Sequence, residues 1–248
     1  MNSMNYIKYY GILLLCVSVS GCSILKPKDT TPDYTPKRDI VVLGAIGTED
    51  NELLSSEFKV AAFPEYTKGI RVYATQKDFT KNTYKKLLKS PEASKVPVTY
   101  IDSIANKPKY LQIEIIDRIA LLEEIKAAAN TSIESYIETQ TDIKLASAVT
   151  LVFPKAIQDE ITKAEAVFLQ NNAYKQYEIA LVKDGKSYRQ ISLKEATVFN
   201  YELSCFCWGE NERRKVELKA IVDNNDSCPK GTYKDADKAR DKMDYFKL

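Results

Sequence analysis

The stretch from residue 177 to residue 193 reads YEIALVKDGKSYRQISL and is the clearest structural signal in the chain. Two strand-length runs containing Ile, Val and Tyr flank Asp184-Gly185. This dipeptide is favoured in two-residue hairpin turns because both of its residues tolerate a positive φ. Apolar and polar side chains alternate in the flanks, as in strands with one buried face. The stretch therefore predicts an antiparallel β-hairpin.

Similar strand-length runs recur along the chain and are bounded by polar or turn-forming residues. The predicted strands cover residues 39–46, 57–63, 69–75, 96–101 and 110–115. A long run over residues 197–208 is predicted to pair with residues 216–222 across a Gly-Glu-Asn-Glu turn.

Helical signals are fewer than strand signals. Apolar residues recur at spacings of four, three and four after Pro154, which predicts an amphipathic helix beginning there; they are Ile157, Ile161, Ala164 and Phe168. Residues 81–88 and 233–246 are further helix candidates, and residues 115–136 stay open between helix and strand. The mixture predicts an α+β fold, mainly an antiparallel β-sheet with a few amphipathic helices.

The N-terminus reads MNSMNYIKYYGILLLCVSVSGC and has the pattern of an export signal. Lys8 precedes an apolar stretch over residues 9–19, which is shorter than the ~20 residues needed to span a membrane. Val19-Ser20-Gly21-Cys22 resembles the lipobox of bacterial lipoprotein precursors. The resemblance implies that residues 1–21 are a signal peptide and that Cys22 carries a diacylglycerol anchor with acyl chains such as palmitate.

Residues 22–38 are predicted to be a flexible tether, because Pro, Thr and charged residues leave little to bury. The lipoprotein resemblance also implies a location. Ser23 follows the anchor where an Asp would signal retention in the inner membrane, so we expect the outer membrane. The next residues are not acidic, which favours the periplasmic face over the cell surface.

Residues 39–248 are predicted to form a globular α+β domain, and a division into two subdomains near residues 105–140 is left open. The formal net charge is +2, and removing Lys8 with the signal peptide lowers it to +1. A nucleic-acid binder normally has a basic excess, so we expect no nucleic-acid partner.

The composition excludes several kinds of chemistry. The chain has no histidine, which excludes Ser-His and Cys-His nucleophiles and imidazole metal sites.

Two glycine-containing motifs do not match nucleotide-binding loops. Gly185-Lys-Ser lies in the predicted hairpin and has Ala180 where a phosphate-binding loop has glycine. Gly44-Ala-Ile-Gly47 lacks the first glycine of the dinucleotide fingerprint. Glu123 and Glu124 are adjacent acids, which point apart on a helix, and the Asn/Asp run over residues 223–226 is predicted to be a solvated turn. No catalytic residue, cofactor or metal site is predicted.

Three cysteines lie in the globular region: Cys205, Cys207 and Cys228. Disulfides persist in an oxidising periplasm. Cys205 and Cys207 share one face of a predicted strand, so they are poorly placed to bridge each other. With a turn centred on Asn211, the distances along the chain favour a Cys205–Cys228 disulfide over Cys207–Cys228. A free or reactive thiol and a three-cysteine metal site with a carboxylate ligand remain alternatives.

These features predict a non-catalytic envelope lipoprotein that binds or helps to assemble another envelope component, with membrane lipid contacted through Cys22 and an envelope protein as partner. An enzyme acting on envelope glycans is one alternative, and it would need two facing carboxylates in a cleft. A carrier for a lipid or another apolar ligand is the other, and it would need an apolar cavity.

Overall fold

A computed structural model describes residues 40–52 and 55–245, with side chains described over 40–50 and 57–242. The predicted signal peptide, Cys22 and the tether over residues 22–38 lie outside these ranges. The strands are β1 (Ile46–Glu52), β2 (Ser55–Ala62), β3 (Ile70–Asp78), β4 (Lys109–Ile115), β5 (Ile143–Val152), β6 (Ala166–Asn171), β7 (Tyr177–Lys183), β8 (Lys186–Ser192), β9 (Thr197–Glu210), β10 (Val216–Asp223) and β11 (Thr232–Tyr233). The helices are α1 (Lys81–Leu88), α2 (Arg118–Ile125), α3 (Thr131–Thr139), α4 (Lys155–Lys163) and α5 (Ala236–Tyr245).

All the strands of the described region belong to one antiparallel sheet. Its main order is β10-β9-β5-β4-β3-β6-β7-β8, the β1–β2 hairpin joins the start of β5, and β11 joins the end of β9. The expectation of a mainly antiparallel β-fold with some helices is confirmed. None of the helices in the described ranges is long and apolar enough to cross a membrane.

The predicted hairpin over residues 177–193 is confirmed as β7 and β8. Asp184 and Gly185 have φ values of 51° and 71°, so both turn residues are left-handed, as a type I′ turn requires. The pairing of Ile179 with Ile191 places two buried side chains opposite each other. Local turn chemistry and burial therefore specify the same register.

Two predicted strands are wrong. Residues 40–45 precede β1 and include a turn, in which the Ala45 N–H bonds to Val42 O at 3.0 Å. Gly44 has a φ of 85° there, and an added Cβ would lie 2.8 Å from the ring of Tyr66. Residues 96–101 also form no strand, because Pro97 cannot donate to a ladder and Val96 packs into a cluster under α1.

The predicted helix after Pro154 is confirmed at its start and wrong in its extent. Ile157 and Ile161 are buried in the main core. Ala164 then adopts an extended backbone, with ψ near 141°, and the chain enters β6. Phe168 therefore lies opposite Arg71 of β3, and its helical spacing from Ile161 is coincidental.

The region over residues 115–136, which the sequence leaves open, contains the end of β4 and two helices, α2 and most of α3. Asp117 caps α2 by accepting a hydrogen bond from the Ala120 N–H at 2.9 Å. Leu121 and Ile125 of α2 enter the main core together with Ile137 of α3. These helices therefore pack on the sheet instead of extending it.

The disulfide joins Cys207 to Cys228, so the predicted partner Cys205 is wrong while the participation of Cys228 is confirmed. The reason is register. β9 runs to Glu210, which pairs with Val216, so the turn lies beyond Asn211 and not around it. After β10 the chain turns back, and Thr232 of β11 pairs with Gly209 of β9. This pairing brings the segment between β10 and β11, which contains Cys228, close to Cys207.

Cys205 remains a buried free thiol. Its S–H lies 3.2 Å from Asn224 Oδ1, to which it can donate. Among the described residues no group of three or more Cys, Asp or Glu side chains could hold a metal ion.

Candidate functional site

Two adjoining hollows lie on either side of the segment at residues 40–43. The first hollow, of about 460 Å³, is bounded by β1, β2, α1 with the turn after it, and β9. The second hollow, of about 430 Å³, is bounded by β5, β7, the turn after β8, and the start of β9. They share Ile40, Val41, Glu92 and Val198. We refer to the two hollows together as the groove.

The second hollow has mainly apolar walls. Leu151 and Leu43 are fully buried, so the hollow reaches the main core. Phe63 is 52% exposed, lines the hollow and contacts Tyr177 edge-on, with ring centroids 5.9 Å apart. The other apolar lining residues are Ile40, Val41, Val42, Val149, Leu193 and Val198.

Two buried tyrosines hold one wall of the second hollow in place. The Tyr177 hydroxyl donates to Pro64 O and the Tyr66 hydroxyl donates to Gly44 O, each at 2.7 Å. The two rings stack with centroids 5.4 Å apart. Burial raises the pKa of both hydroxyls well above the ordinary tyrosine value, so both remain protonated donors.

Polar side chains of the α2–α3 region hold the loop that carries Phe63 by hydrogen bonds to its backbone. Glu124 of α2 accepts hydrogen bonds from the backbone N–H groups of Thr67 and Lys68, at 2.5 and 3.1 Å. Asn130 accepts from the Glu65 N–H at 2.7 Å and donates to Glu65 O at 2.8 Å. The groove wall is therefore preorganised by buried hydrogen bonds.

The predicted acidic runs behave differently from each other. Glu124 is only 3% exposed whereas Glu123 is exposed, so the two adjacent acids point apart on the helix as expected. A sequence cannot show that a helical carboxylate faces two backbone N–H groups from a distant loop. Asp223 is largely exposed and pairs with Arg118 at 2.8 Å, as a surface carboxylate does.

The two hollows differ in their charges. The first is lined by Glu49, Glu57 and Glu92 together with Lys86 and Lys89. Glu49 pairs with Lys144 and Glu92 with Lys95, both at 2.6 Å. Two of its three carboxylates, Glu49 and Glu92, therefore belong to structural ion pairs.

In the second hollow, three lysines and one carboxylate line the walls, which gives a formal lining charge of +2. Lys95 pairs with Glu92, and Lys175 pairs with Glu65. No carboxylate of the described residues lies within ion-pair distance of Lys194. The second hollow therefore combines apolar walls with one lysine that has no acidic partner in this part of the chain.

A third hollow, of about 870 Å³, lies between the loop around residues 95–109 and the start of α4. Polar and apolar residues mix in its walls. Gln158 lines it, donates from Nε2 to Phe153 O at 2.7 Å, and has an Oε1 with no hydrogen-bond partner in the described region. That oxygen is buried, so it does not offer an acceptor to a ligand.

The sequence-predicted site residues do not meet in the groove. Cys22 lies outside the described residues, and neither Cys205 nor Cys228 lines any of the three hollows. The groove could not be predicted from the sequence because its lining residues come from distant segments, such as those of Val149, Tyr177 and Lys194. No local motif links these residues.

Comparisons with protein-family models, with curated proteins and with solved structures found no match for this chain.

Proposed function

We propose that the chain is a lipid-anchored protein of the bacterial envelope whose folded region is a non-catalytic binding domain. The Val19-Ser20-Gly21-Cys22 motif supports the anchor on Cys22. The observation that carries the binding role is the apolar groove, which has the concave, mostly apolar character of ligand and partner sites.

Two of the three carboxylates that line the groove support binding over glycoside hydrolysis. A glycosidase needs one carboxyl group with a raised pKa to act as the acid and a second carboxylate across the bond. Glu49 and Glu92 are instead held by lysines. Burial raises the pKa of Glu134, but this residue belongs to α3 and does not line the groove.

The anchor and the groove together define the proposed role. The protein is held in the outer membrane through acyl chains on Cys22 and faces the periplasm. Ile40, which lines both hollows, is the first described residue after the tether. In the periplasm the folded domain binds another envelope component. Neither a nucleic acid nor a cofactor takes part in this role.

Metabolic labelling with an alkyne fatty acid tests the anchor. The wild-type protein should carry the label, and Cys22→Ala should give an unlabelled, uncleaved precursor. Normal labelling of Cys22→Ala would remove the anchor from the proposal.

Site-specific photo-crosslinking in native membranes tests the binding role. A photoreactive phenylalanine analogue replaces Phe63 in the groove or, as a matched control, the exposed Tyr188 of β8. We expect a discrete envelope component to be captured from position 63 and not from position 188. Equal products at both positions would show that the groove is not the binding surface.

A further inference from the structure

The second hollow has the features of a site for a single-chain anionic amphiphile. We propose that it binds a long-chain fatty acid, with the acyl chain against the apolar walls and the carboxylate at Lys194. The inference rests on the proposed function in one respect only, because it takes the same groove as the binding site.

The apolar walls of the second hollow can bind the acyl chain of the fatty acid. Val149, Leu151 and Leu193 present aliphatic surface to the hollow, and Tyr177 closes one side with its ring. A flexible apolar chain gains stability in proportion to the apolar area that it removes from water. The Tyr177 hydroxyl already donates its hydrogen bond to Pro64 O, so it does not need a polar group of the ligand as a partner.

The volume of the second hollow favours a ligand with one acyl chain over a ligand with two. At about 430 Å³ the second hollow falls in the lower half of the range of ~300–1,000 Å³ that is usual for small-ligand sites. A phospholipid would have to place its second acyl chain in the adjoining first hollow, whose lining includes five charged side chains. We therefore assign the site to a free fatty acid.

The lysines that line the second hollow indicate where the carboxylate of the fatty acid binds. Lys95 and Lys175 each pair with a glutamate, whereas Lys194 has no carboxylate partner among the described residues. Lys194 lies in a short 3-10 turn whose Leu193 side chain is buried in the core, and its own N–H donates to Ser192 Oγ at 3.3 Å. Its backbone position at the rim is therefore fixed, and a charge-assisted hydrogen bond to a carboxylate would complete the site.

The test uses the full-length anchored protein in its native membranes. A fatty acid with a photoreactive diazirine near its chain end is added, irradiated and mapped by peptide mass spectrometry. We expect the label on peptides that line the second hollow, above all those containing Val149, Leu151 or Val198. The corresponding diazirine methyl ester should label these peptides at least about tenfold less, because it lacks the charge.

Two lysine variants sharpen the test. Lys194→Glu should reduce labelling by at least about tenfold, whereas Lys186→Glu, on the exposed strand β8, should leave it unchanged. An unchanged urea midpoint of unfolding for each variant shows that the fold persists. Equal labelling of the two variants, or equal labelling by acid and ester, would overturn the inference.

The outcome separates this inference from the proposed function. A protein captured from position 63 without fatty-acid labelling of the hollow would leave the binding role in place and overturn the fatty-acid assignment. Preferential labelling by a diazirine phosphatidylglycerol would replace the fatty acid with a phospholipid and equally overturn it. Loss of acyl labelling on Cys22 would affect the anchor alone.

Discussion

The β7–β8 and β9–β10 hairpins lie at opposite ends of the main strand order, and different interactions hold them. β8 is largely exposed, with Ile191 as its buried side chain, and its turn is the two-residue Asp184-Gly185. Arg189 on β8 pairs with Glu160 of α4 at 2.7 Å. This hairpin therefore depends mainly on its own turn and on backbone pairing with β7.

The β9–β10 hairpin depends on contacts from distant parts of the chain. β9 is 14 residues long and pairs with β5, β10 and β11. The Cys207–Cys228 disulfide fastens the segment that follows β10, and Lys126, the residue directly after α2, pairs with Glu217 of β10. Two similar antiparallel hairpins can therefore owe their register to local turn chemistry and burial within the hairpin in one case, and to contacts from distant parts of the chain in the other.

The largest expected effect comes from removing the bridge at the β9–β10 end. The double variant Cys207→Ala/Cys228→Ala should lower the free energy of unfolding by about 3 kcal/mol, because the disulfide closes a loop with a sequence separation of 21 residues. Urea denaturation measures the change. Cys205→Ala is the matched control and should cost about 1 kcal/mol or less, since it removes one small buried side chain. A loss from Cys205→Ala as large as that of the double variant would contradict the assigned pairing.

An intermediate effect is expected from the turn of the β7–β8 end. Gly185→Ala should cost about 1 kcal/mol, because Gly185 has a φ of 71° and the added methyl group meets no atom within 4 Å. Gly231→Ala is the matched control beside the bridge, with a φ of 81° and equally open surroundings. Hydrogen exchange should accelerate in β7 and β8 for the first variant and stay unchanged in β9 and β10 for the second. Equal loosening of both hairpins would remove the distinction between local and tertiary control.

The same contrast explains which strands could be predicted. The β7–β8 hairpin follows from a dipeptide and its flanks, and both partners of β9–β10 are recognisable as strands. The register of β9–β10 could not be predicted, because the residues between them include several polar positions that could form the turn. The pairing of Thr232 with Gly209, which decides the disulfide, involves a short strand with no signal of its own.

Burial on both faces hides the central strand from sequence reasoning. β5 reads IKLASAVTLV, and its residues from Leu145 to Val152 are all buried. Such a strand lacks the alternation by which half-buried strands are recognised. The groove is hidden for a related reason, since Val149 and Leu151 come from this strand while Tyr177 comes from β7 and Lys194 from the turn after β8.

The smallest expected effect concerns the ion pairs that join each edge strand to a helix. Lys126 holds the pKa of Glu217 below its usual range by hydrogen bonding, and partial burial opposes this. The folded state thus favours the carboxylate, so the stabilisation is present above the unfolded pKa of about 4.3 and is lost as pH falls through the folded-state value. Glu217→Gln should therefore lower the free energy of unfolding by about 0.5 kcal/mol near neutral pH, because solvent screens a partly exposed pair.

Urea denaturation at several pH values checks this prediction, with Glu160→Gln as the counterpart at the β8 end. The difference between Glu217→Gln and the wild type should vanish below the folded-state pKa, where the wild-type carboxyl group is also neutral. A difference that persists in strong acid would mean that Glu217 acts through packing instead of charge. A loss near neutral pH that equals the loss of the disulfide would mean that α2, and not the bridge, holds β10 in its register.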